Sequence, residues 1–593
     1  MSSDELATIA QKAAQGGLFI FIGNAASTVI LALGIIVVAR LLGPSDYGLY
    51  TLALVIPIIL VSLSDAGISF ALVRLPARLR AEGNYAEAEK LIRLGFLLKL
   101  TISTVAFVIC YFGSATIATT VLNRPELAPF LRIASLIVIF HSIFGAACDS
   151  FIGQDLMHYS AGIQVLQSTL KGTLGPALVL VGFGIAGAIS GYVLSLAAAG
   201  LVGTALLFAN HARSSNQATG LVSTELRGLL GYALPLYVAT ILSVFLTQYQ
   251  SIVLAHFASN IEIGNFGATW NFTTLMAILA YPLATAMFPM FSKMDPKNQR
   301  SDLARVFVLA VKYTSLLIIP ASVAVMVFSR DLIFLTYGSG YTSAPQYLVI
   351  LFVVYLLAAI GSVVLGSFLN GVAETGTVVK MSFLALVVYL PLGPAFALLW
   401  GAYGILVAYV LSSGASTVYG IRQISIKYDA RPDLRASAGV LIVALAAAVP
   451  SITLIQLHLT ETGVVNLVAG GFLYVLAYLT LAPVLGAVDK FDIMNLRTIL
   501  SLVPLQYYGP VEMRFVTSTE LGQNRLDQNL LEITTVEGNV LDLTLVRSQV
   551  RLEEKDRDKI ATRAYMLMTR MVAISVDSIF EYELKLLSAI RRD

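Results

Sequence analysis

The chain has 593 residues, of which 57% are hydrophobic and only 12% are charged, and its mean hydropathy is +0.81. Soluble globular chains are about 45–50% apolar and about 25% charged, so the composition excludes an ordinary soluble protein. A formal net charge of +3 also excludes the strongly basic surface of a nucleic-acid-binding protein. We therefore predict an integral membrane protein with no nucleic-acid partner.

Charge is distributed unevenly along the chain. Residues 489–593 contain 14 Lys and Arg and 16 Asp and Glu, whereas the preceding 488 residues contain 24 and 19. A long membrane region followed by a water-exposed domain at 489–593 explains this change. The sequence predicts an α+β fold for that domain, with an interfacial helix at Asp489–Val503, a hairpin within Leu530–Val550 and a helix at Glu553–Ile590.

The N-terminal segment and the cysteines narrow the possibilities further. Residues 1–17 are polar enough for an interfacial segment, and the first apolar run is too long for the core of a signal peptide. Cys110 and Cys148 both lie in apolar runs, so neither a disulfide framework nor a cysteine-rich metal site is predicted.

The first 488 residues contain fourteen apolar runs, each long enough for a helix across the bilayer, which needs about 20 residues. We predict an all-α polytopic protein with spans near 18–39, 48–72, 91–112, 127–150, 162–182, 185–209, 229–257, 264–292, 306–328, 345–369, 378–399, 401–423, 438–458 and 464–485.

The Lys and Arg residues between these runs predict the orientation. Sixteen fall on one side, and only Arg40, Arg124 and Arg330 fall on the other. Because basic loops stay in the cytoplasm, we expect both termini and residues 489–593 to be cytoplasmic, in a multi-pass protein of the cell membrane.

An internal repeat divides the membrane region. Ala39–Tyr50 aligns with Ala255–Phe266, LGPA at Leu174–Ala177 recurs at Leu392–Ala395, and Gly187–Ser195 resembles Gly404–Ser412. The repeat predicts a first six-helix bundle at 18–209 and a second at 229–423, with two additional spans at 438–485. Two parallel bundles enclosing a central cavity suit transport by alternating access.

Several segments carry a family resemblance. ARLLGPSDYGLYTLALVIP, SDAGISFALVR, DLIFLTYGSGY, LGSFLNGVAETG and WGAYGILVAYVLSS resemble the polysaccharide-exporter (Wzx-type) flippases of the multidrug/oligosaccharidyl-lipid/polysaccharide (MOP) superfamily over roughly residues 10–485. The resemblance implies translocation of an undecaprenyl- or dolichyl-type lipid-linked oligosaccharide from the inner to the outer leaflet.

Charged residues inside the spans are the main candidates for binding, since charge at the bilayer centre is costly and by default faces the protein interior. The candidates are Asp65, Lys99, Arg132, His141, Asp149, Lys171 and Lys312. Lys171 lies near the middle of its span and is our first choice for a phosphate contact; the alternative is a salt bridge with Asp149 or Asp65. Arg132 is a weaker candidate that can snorkel to the outer surface, and snorkelling explains Lys99 and Lys312 at the cytoplasmic ends.

Neutral polar residues complete the predicted cavity. Gln250 and Asn271 accompany a polar stripe in the second bundle, and Asn24 adds polarity to the first span. A cavity with one cationic and one neutral wall fits a ligand with an anionic head and a sugar body. Related drug antiporters often carry an acid in the first span, so Asn24 weakens that interpretation.

Three residues are candidates for coupling transport to an ion. Asp65 shares a predicted helix face with Ser62 and Ser69, although helix–helix hydrogen bonding explains it equally well. His141 and Asp149 are eight residues apart and can share a face, whereas His141 and Arg132 point in opposite directions. His141 can also titrate near neutral pH or serve only in packing.

Enzyme and cofactor motifs are not supported. GFGIAG at Gly182–Gly187 lies between two spans without a preceding strand, and GVAETGT at Gly371–Thr377 lacks the phosphate-binding Lys of a P-loop. We therefore predict a monomeric transporter without cofactor or metal, working with glycan assembly enzymes. The alternatives are a cation-coupled multidrug antiporter on the same fold, a membrane glycosyltransferase and a non-transporting scaffold.

Overall fold

The computed structural model describes residues 3–211, 223–296, 298–456, 463–488 and 492, together with three strands between residues 512 and 544. Two compact units divide the chain, at Met1–Ala487 and Val488–Asp593. The helices of the first unit are α1 Ser3–Asp65, α2 Ile68–Ala81, α3 Tyr85–Thr116, α4 Ala128–Gly153, α5 Met157–Leu178, α6 Gly184–His211, α7 Ser223–Phe257, α8 Asn260–Asn271, α9 Thr273–Ser292, α10 Arg300–Val327, α11 Ser329–Thr336, α12 Ala344–Leu356, α13 Ser362–Gly371, α14 Thr375–Trp400, α15 Ala402–Tyr428, α16 Leu434–Gln456 and α17 Gly463–Val484.

The first unit is the membrane region, as its composition predicts. Among the described residues, ten helical segments are long and apolar enough to cross a bilayer, or eleven when the bent pair α12–α13 counts as one span. The fourteen predicted runs outnumber them partly because neighbouring runs join. Gly23–Ala81 and Met157–Ala209 are each continuous segments that contain two predicted runs.

Breaks within these segments have local causes. α1 bends at Gly43, whose φ of 73° and ψ of 171° are non-helical, and Pro44 follows directly. The predicted run 264–292 is divided at Phe272 into α8 and α9, and the predicted run 345–369 bends by 52° between α12 and α13. Helix breaks at membrane depth are tolerated where neighbouring protein satisfies the freed backbone groups.

The backbone repeats across the two sequence halves, which we define as α1–α6 and α7–α15. Gly184, before α6, has φ 52° and ψ −132°, and Gly401, before α15, has φ 57° and ψ −135°. Only glycine adopts such a conformation readily. Each of these glycines lies three residues before one of the aligned repeat segments, Gly187–Ser195 and Gly404–Ser412. Gly184 also belongs to the GFGIAG sequence, which is thus a turn between helices.

A three-stranded antiparallel sheet is described in the second unit. Its strands are β1 Glu512–Val516, β2 Leu530–Thr534 and β3 Val540–Thr544, in that order across the sheet. β2 and β3 pair antiparallel within Leu530–Val550, where the sequence predicts a hairpin. The predicted helices at 489–503 and 553–590 lie outside the described residues, apart from Asp492.

Candidate functional site

A buried ion cluster lies where α1 ends and α2 begins. The Lys99 ammonium on α3 is 2.8 Å from Asp65 Oδ1 and 3.4 Å from Asp149 Oδ2, and it donates to Ser69 Oγ at 2.8 Å. Ser69 Oγ is in turn 2.6 Å from one carboxylate oxygen of Asp65 and of Asp149. The three ammonium donors are thus satisfied within four residues, which we call the Lys99 cluster.

Burial makes these contacts essential. The Lys99 side chain is only 6% exposed, and the two carboxylates are 22% and 20% exposed. A charge at this position is tolerable only when it is paired and hydrogen-bonded. Two carboxylates face one ammonium, so the formal charges of the three groups sum to −1.

Residues on one face of α4 lie beside Lys99. His141, Gly145 and Asp149 follow at intervals of four residues, and a Cβ on Gly145 would lie 3.3 Å from the Lys99 ammonium. Because Gly145 has no side chain, the Lys99 side chain can pass it and reach Asp149. His141 packs edge-on against Phe144, with ring centroids 6.2 Å apart, and it lies in electrostatic range of Lys99, Asp65 and Lys171.

The prediction for Lys99 was wrong, because its side chain is buried and paired instead of snorkelling to the cytoplasmic surface. The shared face of Asp65, Ser62 and Ser69 was also wrong, since the helix breaks at Ala66–Gly67 and Ser62 Oγ bonds the Ile58 carbonyl. Asp65 and Ser69 meet across that break. Depth was the signal available in the sequence: at 1.5 Å per residue, Lys99 lies about 12 Å and Asp65 about 10 Å inside the predicted spans.

Lys171 on α5 is held differently. Its ammonium lies 3.5 Å from the centroid of the Tyr192 ring on α6, a cation–π geometry. Among the residues that the structure describes, no carboxylate pairs with it, so the predicted alternative of a salt bridge to Asp149 or Asp65 does not occur; Lys99 takes both acids instead. The aromatic contact of Lys171 with Tyr192 therefore takes the place of an ion pair in the described part of the chain.

Arg132 and Asn24 occupy less enclosed positions. The Arg132 side chain is exposed, and its Nε donates to Ser114 Oγ on α3 at 3.1 Å. Asn24 is half-buried on α1, where its main-chain carbonyl oxygen accepts from Thr28 Oγ1. The structure brings together His141, Asp149, Asp65 and Lys99, but it does not add Arg132 to that group.

Gln250 on α7 is fully buried, with 1% exposure. Neither atom of its side-chain amide has a hydrogen-bond partner among the described residues, and the same holds for the buried Tyr389 hydroxyl. Leaving a buried polar group unpaired costs about 1–3 kcal/mol. Such groups are therefore candidates for hydrogen bonds to a ligand.

Asn271 takes part in a tight contact between the two halves. Its amide donates to the hydroxyls of Tyr47 at 2.8 Å and Tyr337 at 3.2 Å. Close by, a Cβ on Gly48 would overlap the Asn260 carbonyl oxygen, and a Cβ on Gly264 would overlap the Pro44 carbonyl oxygen. These are equivalent pairs in the repeat at an offset of 216 residues, so the contact is reciprocal.

Two arginines of the first half donate hydrogen bonds to the second half at the same end of the membrane region. Arg124 donates to the carbonyls of Ala255 and Ala258 at the end of α7 and to Asn260 Oδ1. Arg40 donates to the Leu335 carbonyl near the end of α11 at 3.2 Å. Helix C-termini favour positive charge. Two of the three cations on the sparsely basic side of the protein thus join the first half to the second, and we call this region the closed end.

Metal chemistry has no visible centre in the described part of the chain, where no group of three or more His, Cys, Asp or Glu residues has a metal-binding arrangement. Cys110 and Cys148 are both free and buried.

Comparison with known proteins agrees with this architecture. Residues 13–295 match the family of polysaccharide biosynthesis proteins, and residues 235–395 match the MatE family. The probable low-salt glycan biosynthesis flippase Agl15 of Haloferax volcanii is 25% identical over 34% of this chain and 42% of its own. The lipopolysaccharide biosynthesis protein WzxC of Escherichia coli is 24% identical over 66% of this chain and 77% of its own.

Solved structures share the fold. The lipid II flippase MurJ in an inward closed conformation superposes with a TM-score of 0.65 at 14% identity, covering 80% of this chain and 100% of MurJ. An inward-facing multidrug MATE transporter of the MOP superfamily reaches 0.58 at 14% identity, covering 69% of this chain and 99% of its own. The class is therefore that of polytopic α-helical membrane proteins with the MurJ and MATE fold.

The family resemblance carried by the sequence motifs is confirmed by these matches. The chain is similar to polysaccharide biosynthesis proteins over residues 13–295 and to the MatE family over residues 235–395.

Proposed function

We propose that this protein is a flippase that carries a lipid-linked oligosaccharide across the cell membrane by alternating access, for the synthesis of a surface polysaccharide or glycoprotein. The observation that carries the proposal is Lys171, a cation inside the membrane region that rests on Tyr192 at 3.5 Å and pairs with no carboxylate among the described residues. A phosphate or pyrophosphate head group supplies the missing anion.

The sugar is assigned to the second half. Gln250 and Tyr389 offer unpaired polar atoms to sugar hydroxyls, and Tyr249 packs edge-on against Tyr389 with centroids 6.0 Å apart. The polyprenyl tail stays in the bilayer. Asn24 and Arg132 are assigned supporting contacts with the cargo. Asn271 is assigned to the sugar only when the closed end opens, since its amide is otherwise occupied by two tyrosines.

Coupling to an ion is assigned to the Lys99 cluster. Asp65 and Asp149 carry two negative charges against the one positive charge of Lys99, and a proton or a monovalent cation balances the difference. Like charges close together in a poorly solvated site favour such binding. His141 lies one turn beyond Gly145 on the same face of α4 and is the third member of the proposed coupling site.

The proposed topology has fourteen spans: one six-helix bundle at 18–209, another at 229–423 and two added spans at 438–485. Residues 1–17 lie at the interface, and both termini and the 489–593 domain are cytoplasmic, so the closed end faces outward. The basic side of the membrane region supports this orientation. We assign no catalytic step to the protein, and we propose a monomer that receives its cargo from glycan assembly enzymes.

Purified full-length protein in proteoliposomes tests the proposal. A fluorescent lipid-linked oligosaccharide should equilibrate between leaflets with the wild-type protein, and Lys171→Gln should abolish this movement while the protein stays folded. Lys312→Gln is the matched control, because Lys312 is the intramembrane lysine of the second half, and it should retain transport. Leaflet distributions that are the same with and without wild-type protein would refute flipping.

The MatE match to residues 235–395 favours one second candidate, a cation-coupled multidrug antiporter on the same fold. Deleting the gene distinguishes the two functions. Loss of a surface glycan with unchanged drug resistance supports the flippase, whereas increased drug sensitivity with an intact glycan supports the antiporter.

A further inference from the structure

The Lys99 cluster holds a break in the backbone. α1 ends at Asp65, and Ala66 and Gly67 then adopt φ values of 47° and 78° before α2 begins at Ile68. Because Ala66 has a Cβ atom, this left-handed conformation has a higher conformational free energy for it than for glycine. Asp65 is the last residue of α1 and Ser69 the second residue of α2, and Ser69 Oγ donates to Asp65 Oδ1 at 2.6 Å.

The break leaves main-chain carbonyls of α1 without a helical donor. In a continuous helix, the Leu63 carbonyl would accept from the Gly67 amide four residues later. Here it accepts instead from the hydroxyl of Tyr237 at 2.8 Å, and the neighbouring Ser62 carbonyl lies 3.3 Å from the same hydroxyl. The Ala66 backbone also lies close to that hydroxyl.

Tyr237 belongs to α7, the first helix of the second half, 174 residues away from Leu63 in sequence. It therefore joins the second half to the very carbonyls that the break in the first half releases. Asp65 is close enough to act electrostatically on Tyr237. The Lys99 cluster therefore adjoins the break at Ala66–Gly67, and that break adjoins the contact that Tyr237 makes between the two halves.

We propose that Tyr237 is a positioning residue through which the second half responds to the charge of the Lys99 cluster. A change of charge at Asp65 or Asp149 alters the Asp65–Lys99–Ser69 contacts, which set the angle between α1 and α2. The Leu63 carbonyl moves with that angle, and the Tyr237 hydroxyl transmits the movement to α7. This inference rests on the proposed function, because it explains how an ion bound in one half biases the other.

Hydrogen–deuterium exchange on the full chain in lipid nanodiscs tests the link without any transport measurement. Asp149→Asn keeps the shape of the side chain and removes its charge. We expect it to raise amide exchange about fivefold both at the break, residues 62–72, and in α7 around residues 233–241, as loss of one net hydrogen bond would. In a Tyr237→Phe background, Asp149→Asn should still act at the break but no longer in α7.

Tyr249→Phe is the matched control, since Tyr249 is on the same helix but donates to the Leu390 carbonyl within the second half. The response of α7 to Asp149→Asn should persist in this variant. Should Asp149→Asn not fold, Asp65→Asn provides the same loss of charge. The proposal is overturned by an unchanged break, by an α7 response that survives Tyr237→Phe, or by one that is lost equally in Tyr249→Phe.

Flipping is measured separately on the wild-type protein. A wild-type protein that moves no lipid-linked oligosaccharide refutes the proposed function, whatever the exchange shows. Loss of the Tyr237-dependent response in a protein that flips its cargo refutes only the link described here.

Discussion

Equivalent positions of the two halves carry different chemistry on the same backbone. Lys171 lies three residues before LGPA in α5, and Tyr389 lies three residues before LGPA in α14. The residues beside them are equivalent as well, because Tyr409 is the counterpart of Tyr192 in the repeat. Lys171 lies over the Tyr192 ring, and Tyr389 lies close to Tyr409. One half thus presents a cation on an aromatic ring where the other presents two phenols.

The difference extends beyond this pair. The first half buries the Lys99 cluster, whereas the second half has a series of aromatic contacts in which Phe266 stacks on Trp270 and Trp270 packs edge-on against Tyr409. Aromatic faces and hydroxyls suit neutral, polar ligands such as sugars, and cations suit phosphates. A duplicated scaffold can therefore hold a two-part cargo without any change in its helices.

Replacing Lys99 with Met tests the role of charge in the first half and should have the largest effect. The change leaves two buried carboxylates without their cation, and breaking a buried pair in this way costs about 3–5 kcal/mol. We expect the thermal unfolding temperature of the purified protein to fall sharply. Lys99→Met combined with Asp65→Asn and Asp149→Asn should recover most of the loss.

Lys171→Met is the matched control for that experiment. Lys171 has no carboxylate partner in the described part of the chain, so its removal costs only a cation–π contact of about 0.5–2 kcal/mol. Equal losses in Lys99→Met and Lys171→Met would show that the two lysines are not distinguished by their partners, and would remove the contrast drawn here.

Reciprocity at the closed end is tested by Gly48→Ala and Gly264→Ala. In each, the new Cβ overlaps a backbone carbonyl of the opposite half, and such overpacking costs about 1–3 kcal/mol. We expect similar losses of thermal stability in both variants, because the two contacts are equivalent. Gly414→Ala in α15, where no atom lies within 4 Å of the new Cβ, should cause no loss; very unequal effects at Gly48 and Gly264 would contradict the reciprocal contact.

Tyr192→Leu and Tyr409→Leu separate the two proposed binding regions. Tyr192→Leu removes the aromatic ring that positions the Lys171 ammonium, so Lys171 should bind an anion more weakly. We expect the affinity for inorganic pyrophosphate to fall about 2- to 30-fold, as loss of a cation–π contact would cause. Tyr409→Leu should leave pyrophosphate affinity unchanged. Isothermal titration calorimetry gives both values, and equal weakening in the two variants would contradict the division of labour.

How much of this was predictable depends on the range of the interactions. The hydrophobic runs predict the helices because they depend on local periodicity, and the LGPA and YVLS repeats predict the equivalence of the halves. The partner of Asp65 was missed because Lys99 is 34 residues away on another helix, and only a comparison of depths relates them. The break at Ala66–Gly67 was missed for another reason: Ala favours helix, and the tertiary contacts of Ser69 and Tyr237 override that preference.

The smallest effect is expected at an ion pair near the surface of the second half. Glu374, before α14, accepts from Lys427 on α15 at 2.7 Å, and this hydrogen bond lowers the pKa of Glu374 below its ordinary value. A carboxyl whose pKa is lowered by folding stabilises the protein above its unfolded pKa, and this contribution is lost as the pH falls through the folded value. Glu374→Gln should therefore lower stability at neutral pH, by no more than about 1 kcal/mol for a partly exposed pair.

The difference between Glu374→Gln and the wild-type protein should disappear in acid, once the wild-type carboxyl is protonated. Thermal unfolding of both proteins across a pH series measures this. A difference that is constant with pH would show that Glu374 acts by shape and not by charge. Comparison with Lys99→Met then shows how the contribution of an ion pair to stability depends on burial. The side chains of Lys99 and Asp65 are 6% and 22% exposed, whereas those of Lys427 and Glu374 are 43% and 27% exposed. Because water screens the more exposed pair more strongly, the Lys99–Asp65 pair should contribute several times more.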